Sequence, residues 1–89
     1  MAIHVSVTPA HIERGAKSDA NECPIAWAMV DAGLEEPYVG INVATWGRFN
    51  WEGARRKRAR LPRAAQLFIG AFDHDEEVEP FEFDLEEER

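Results

Sequence analysis

Residues 61–85 run LPRAAQLFIGAFDHDEEVEPFEFDL, and the hydrophobic period changes partway along them. Leu61-Pro62 opens a helix, because proline suits a first helical turn. Ala65, Phe68, Ile69 and Phe72 then fall at i, i+3, i+4 and i+7, which is one apolar helical face. Asp73 to Glu77 is a polar break. Over residues 78–85 the period drops to two, with Phe81, Phe83 and Leu85 on one side and Glu82 and Asp84 on the other. A one-faced helix followed at once by a one-faced strand implies an α+β domain in two layers, each covering the other's apolar side.

The remaining elements follow by the same reasoning. Residues 2–8 alternate, with Ile3, Val5 and Val7 facing one way and His4, Ser6 and Thr8 the other, as in a half-buried strand. Thr8-Pro9 caps and opens a short helix that Gly15 limits. Residues 17–22 are a polar loop. Cys23-Pro24 opens a second helix whose stripe is Ile25, Ala28, Met29 and Ala32, and Gly33 ends it in a left-handed conformation. Tyr38 to Trp46 is rich in β-branched and aromatic residues and reads as a strand with Val39, Ile41, Val43 and Thr45 on one face. Ala54 to Arg60 pairs with it as a hairpin. Its charge on both faces restricts it to an edge strand or an exposed loop. The expected order is β-α-α-β-β-α-β, a small, mostly antiparallel sheet with helices on one face. The terminal strands are expected to be neighbours, and 86–89 a frayed acidic tail.

With 89 residues, 45% of them hydrophobic, residues 1–89 have room for one domain and one small core. A lone cysteine cannot form an internal disulfide, which fits a reducing compartment. No apolar run approaches the roughly 18 residues of a membrane span. Met1 to Thr8 lack a basic n-region, so no signal peptide is expected. These features exclude a secreted disulfide scaffold and a fibrous protein, and no membrane partner is expected.

The net charge of −7 is sharply segregated. Residues 48–63 carry +6, with Arg48, Arg55, Arg56, Lys57, Arg58, Arg60 and Arg63 opposed only by Glu52. Residues 73–89 carry −9, and residues 1–47 carry −4. Such a basic run suits an anion, a nucleic acid or an acidic protein face. It can also lie against the chain's own acidic segment. Trp46, Arg48, Phe49 and Trp51 sit just before it, at the hairpin tip. Aromatics beside arginines stack on nucleotide rings and are frequent at protein interfaces. Any one of these rings can instead cap the core. The acidic segment offers a partner-binding face through Glu79, Glu82, Asp84 and Glu86, and equally reads as the solvated side of a strand.

Catalytic and metal signals are weak. Cys23 at a helix N-terminus has the setting of an activated thiolate, but His4, His11 and His74 stand at no recognised spacing from it. A lone cysteine also serves as a small buried apolar residue. No CxxC, HxxxH or HExxH pattern occurs, and Asp73-His74-Asp75 reads equally as a turn. There is no glycine-rich phosphate loop and no nucleophile–base–acid arrangement. The chain is therefore expected to be no enzyme and to need no cofactor. Trp27 lies off the stripe of its helix; it marks either an oligomer contact or packing against the first helix.

The segments His11-Ile12-x-x-Gly15, Cys23-Pro24-Ile25-Ala26-x-Ala28, Leu61-Pro62-x-x-Ala65-x-x-Phe68-Ile69-x-x-Phe72-Asp73 and Val78-x-Pro80-Phe81-x-Phe83-x-Leu85 together resemble small proteins of phages and prophages of high-GC bacteria. The similarity spans nearly the whole chain and rests on core and cap residues, so it specifies a fold and carries over no catalytic residue. The Ala- and Arg-rich composition agrees with that source. The resemblance implies a cytoplasmic phage accessory protein that binds a host or defence-system protein, or another phage protein. On that reading the acidic residues stand in for phosphates in a site that receives nucleic acid. The alternative from the residues is a binder of a nucleotide signal or nucleic acid through segment 46–63, its pocket completed by a second copy of the chain.

Overall fold

A computed structural model of the chain describes residues 2–47 and 56–88. The elements in chain order are β1 (Ala2–Val7), α1 (Pro9–Arg14), α2 (Pro24–Asp31), β2 (Tyr38–Val39), β3 (Val43–Trp46), β4 (Lys57–Arg60), α3 (Arg63–Asp73) and β5 (Phe81–Glu86). The α+β class is as expected. The expected single sheet is instead two antiparallel sheets, β1-β5 and β2-β3-β4. One bridge, Ala59 to Glu87, links them.

The helix starts follow their capping chemistry. Thr8 Oγ1 accepts from His11 N–H, and His11 Nδ1 accepts from Thr8 N–H at 2.9 Å. This is a capping box in which histidine takes the place usually held by Glu or Gln. Cys23 Sγ accepts from Ala26 N–H, with Pro24 in the first turn of α2. That helix ends in a Schellman arrangement: Gly33 has φ +93°, its N–H reaches Val30 O, and Leu34 N–H reaches Met29 O. Ala32, expected on the buried stripe, is exposed there as the C-cap, and Ala26 is buried in its place.

The expected strand 38–46 is broken. Gly40 N–H bonds Val43 O, folding residues 39–44 into a hairpin that pairs Val39 with Ala44 and Tyr38 with Thr45. The break resets the alternation, so Val39, Ala44 and Trp46 face inward while Ile41 is 84% exposed. The expected basic hairpin strand forms as Lys57–Arg60, antiparallel to β3, with Ala59 buried opposite Ala44. That pair of small residues lets the sheet approach the core closely.

β1 and β5 pair from Ala2–Glu86 to Val7–Phe81, which makes the terminal strands neighbours. Val5, Val7, Phe83 and Leu85 point into a core completed by Ile25, Met29, Leu61, Ala65 and Phe68. Phe68, Phe81 and Phe83 stack in series, with centroids 4.8 and 5.3 Å apart. β5 begins three residues later than the period predicts, because Val78 packs on the core from a non-strand segment. The expected frayed tail is tied down through residue 88: Glu86 belongs to β5, Glu87 forms the bridge, and Glu88 N–H bonds Arg58 O at 2.8 Å.

Candidate partner-binding face

The basic run and the acidic run meet inside the fold. Lys57 Nζ stands 3.8 Å from Glu87 and Arg58 Nε 3.2 Å from Glu88. These exposed pairs are each worth at most about 1 kcal/mol, but together with the backbone bond they place the acidic tail on β4. Arg56 bonds Gly47 O and Glu36 O and reaches Thr45 Oγ1, so it braces backbone carbonyls. Trp46, a candidate surface ring, is 3% exposed and belongs to the core. Arg60 is exposed on the face opposite Ala59. Arg48, Phe49, Trp51 and Arg55 lie outside the described residues.

Cys23 does not have the environment of an activated thiol. It is buried, and burial pushes the thiol pKa up, outweighing the lowering effect of the Ala26 and Ile25 amides. Among the described residues, no group of three or more His, Cys, Asp or Glu side chains is placed to hold a metal ion. Trp27 packs on the first helix, with the Arg14 guanidinium 4.2 Å above its ring. No helix among the described residues is long and apolar enough to cross a membrane.

The acidic side of β5 is organised by its neighbour. The β1-β5 register brings His4 opposite Asp84 and Ser6 opposite Glu82. His4 Nε2 lies 2.6 Å from Glu82 Oε1 and Nδ1 lies 2.9 Å from Asp84 Oδ1. Ser6 Oγ donates to the same Glu82 oxygen. Glu86 continues the file, and Glu79 is exposed just before the strand. An imidazole set between two carboxylates is best satisfied with both nitrogens protonated. The hydrogen bond to Glu82, then that to Asp84, raises the His4 pKa above its ordinary 6.5. His4, then Ser6, holds Glu82 below its ordinary 4.5.

The two shifts define a pH window. A raised histidine stabilises the fold fully below pH 6.5 and loses that contribution as pH rises through its folded value. A lowered carboxylate contributes above pH 4.5 and loses it as pH falls through its own folded value. The pair therefore acts in full between about pH 4.5 and 6.5. Replacing His4 by Asn should cost most stability in that window and almost none well above it. Urea melts of both proteins at pH 5.5 and 9 check this. An equal deficit at both pH values would mean that His4 acts by packing alone.

Beside this face an open cleft of about 290 Å³ runs between β1 and α2, lined by His4, Ser6, Thr8, Ala28, Asp31 and Ala32. Asp31 is 66% exposed, yet its Oδ2 is fixed 2.6 Å from Nε2 of His11, whose side chain is only 7% exposed. Because His11 Nδ1 accepts from Thr8 N–H, the ring carries its proton on Nε2 and donates it to Asp31. The capping box of α1 thus aims a carboxylate on α2 without neutralising it.

The sequence places His4, Ser6 and Thr8 on the outward side of β1, with Thr8 as the cap of α1, and carries no signal for Ser6 or Asp31. The usable signal was the Thr8-x-x-His11 spacing. The partner of His11, twenty residues away, leaves no local signature. Comparison of the chain with protein-family models, with curated proteins and with solved structures finds no match.

Proposed function

We propose that the protein is a non-catalytic binding module. Its acidic β1-β5 face docks on a cationic groove of a partner protein, of the kind that otherwise receives nucleic acid. On this reading it is a phage-type accessory protein that modulates a host or defence-system protein in the bacterial cytoplasm. The observation that carries it is the exposed file of Glu82, Asp84 and Glu86 on one side of a paired strand. Side chains on one side of a strand recur about every 6.8 Å, so these charges form a regular row on a rigid support. Lys57 and Arg58 are each met by one carboxylate of the tail, whereas the single His4 meets two carboxylates of the β5 file, so negative charge is in excess there and favours the acidic side as the outward-acting surface.

The test is capture from bacterial lysate on immobilised protein, followed by mass spectrometry and a nucleic-acid assay of the eluate. One stoichiometric protein should be retained and then released by short duplex DNA, which competes for the same groove. Reversing Glu82 and Asp84 to lysine should weaken its binding about tenfold or more, mainly through slower association. Arg58→Glu should leave it in place. Recovery of nucleotide or nucleic acid that disappears with Arg58→Glu and Arg60→Glu would overturn the proposal in favour of an anion site on the basic segment.

A further inference from the structure

We propose that the cleft between β1 and α2 is a socket for one arginine side chain of the partner; this rests on the acidic-face reading and makes it specific. The polar walls present mainly acceptors, since both ring nitrogens of His4 are taken up by Glu82 and Asp84. Ser6 directs its single hydroxyl proton to Glu82, which leaves its oxygen lone pairs outward. The Thr8 hydroxyl lies 3.1 Å from His11 Nδ1, whose single lone pair already takes the Thr8 N–H, so the hydroxyl can turn to present its oxygen as an acceptor. Asp31 has one oxygen held by His11 and stands two-thirds exposed. An anionic or acceptor-rich ligand would find one hydroxyl donor, on Thr8, and the Asp31 carboxylate against it, whereas a cationic donor group would find three acceptors.

Shape narrows the occupant further. Ala28 and Ala32, one helical turn apart, give the cleft a small apolar floor suited to an aliphatic stem. The volume, about 290 Å³, is at the lower edge of what small-molecule pockets occupy, and the cleft is open to solvent. It suits one side chain better than a nucleotide. A planar guanidinium with several diverging donors can use a carboxylate and two hydroxyl oxygens at once, which a compact ammonium does less well. Glu82 and Asp84 on β5 flank His4 at the rim, and Asp31 on α2 adds a further negative charge.

The probe is Nα-acetyl-arginine amide, titrated into the ¹⁵N-labelled full chain with Nα-acetyl-lysine amide as comparison. Saturable amide shifts are expected at Ser6, Thr8 and residues 28–32, with the lysine compound binding several-fold more weakly. Asp31→Asn should weaken arginine binding about tenfold, the scale of one lost hydrogen bond to a charged group. Ser6→Ala, on the exposed side of β1, should weaken it about threefold with the fold intact by circular dichroism. Glu88→Gln, away from the cleft, should change nothing. Shifts that never saturate, equal binding of the lysine compound, or an unchanged affinity in Asp31→Asn would each overturn the socket. Lysate capture separates the two proposals: capture that survives Asp31→Asn removes the socket alone. A socket that binds arginine while no protein is captured removes the groove-docking reading alone.

Discussion

Replacing Leu85 by alanine is expected to lower the stability of the domain by about 3 kcal/mol, within the usual range for a fully buried leucine. Leu85 has no exposed surface, lies near the C-terminal end of β5 opposite Ile3, and belongs to the same core cluster as Val5 and Phe83. The loss has two parts: the transfer energy of the removed methyl groups and the cavity they leave, since a strand paired along six residues cannot easily collapse inward. A chain of this length carries roughly 5–13 kcal/mol in total, so a quarter or more of the stability is at stake. With a urea slope of about 1 kcal/mol/M, the unfolding midpoint should fall by roughly 3 M. A fall of less than 1 M would mean that β5 is not packed as described. The acidic face and the inter-sheet bridge both depend on β5, so partner binding should decline with the folded fraction.

The stretch that decides the fold was legible because its two periods are clean. Phe68, Ile69 and Phe72 on one turn pattern, and Phe83 and Leu85 on another, admit few alternatives, and the structure puts them in or against one core. The caps were legible for the same local reason, since Thr8-Pro9 and Cys23-Pro24 carry their chemistry within four residues. The strand 38–46 failed because β propensity sees residue type and not chain reversal. Gly40 and Asn42 are ordinary turn residues, but Val43 to Trp46 kept the propensity high across them. The inward set is therefore Val39, Ala44 and Trp46, one of the three small, a pattern that alternation alone does not mark.

The site was legible only in part. Glu82 and Asp84 were placed outward by alternation, and the structure places them so, while Glu86, expected in a frayed tail, extends the same file as the last residue of β5. What alternation cannot supply is the strand partner. His4 becomes a clamp only because β1 and β5, eighty residues apart, share a register that sets it opposite Asp84. Asp31 becomes an aimed carboxylate only because His11, which caps its own helix, also reaches across to α2. Both are consequences of tertiary placement. The meeting of Lys57 and Arg58 with Glu87 and Glu88 is of the same kind: each run was visible in the composition, while their contact depends on the Ala59–Glu87 bridge and the bond from Glu88 N–H to Arg58 O.

Gly15→Ala should be the most damaging of the conservative glycine changes, and its reason differs from that of the others. Gly15 has φ −67° and ψ 147°, a conformation open to any residue, so backbone strain is not the issue. A Cβ there would fall 2.6 Å from the backbone nitrogen of Pro24 and overlap its ring. Pro24 is fully buried at the first turn of α2, and neither its ring nor its backbone can yield as a flexible side chain would. The two helices must move apart, at a cost of about 1–3 kcal/mol or more. Gly33→Ala meets no neighbour, but its φ of +93° imposes about 1 kcal/mol of strain. Gly70→Ala, exposed within α3 with open space around it, should stabilise by about 0.5–1 kcal/mol. Thermal or urea unfolding of the three variants orders them directly. Because His11 on α1 aims Asp31 on α2, the separation caused by Gly15→Ala should also loosen that pair and weaken arginine binding in whatever fraction stays folded. Gly33→Ala, at comparable stability, should not. A Gly15→Ala protein of unchanged stability and unchanged arginine affinity would mean that the close contact of Gly15 with Pro24 does not set the α1–α2 approach.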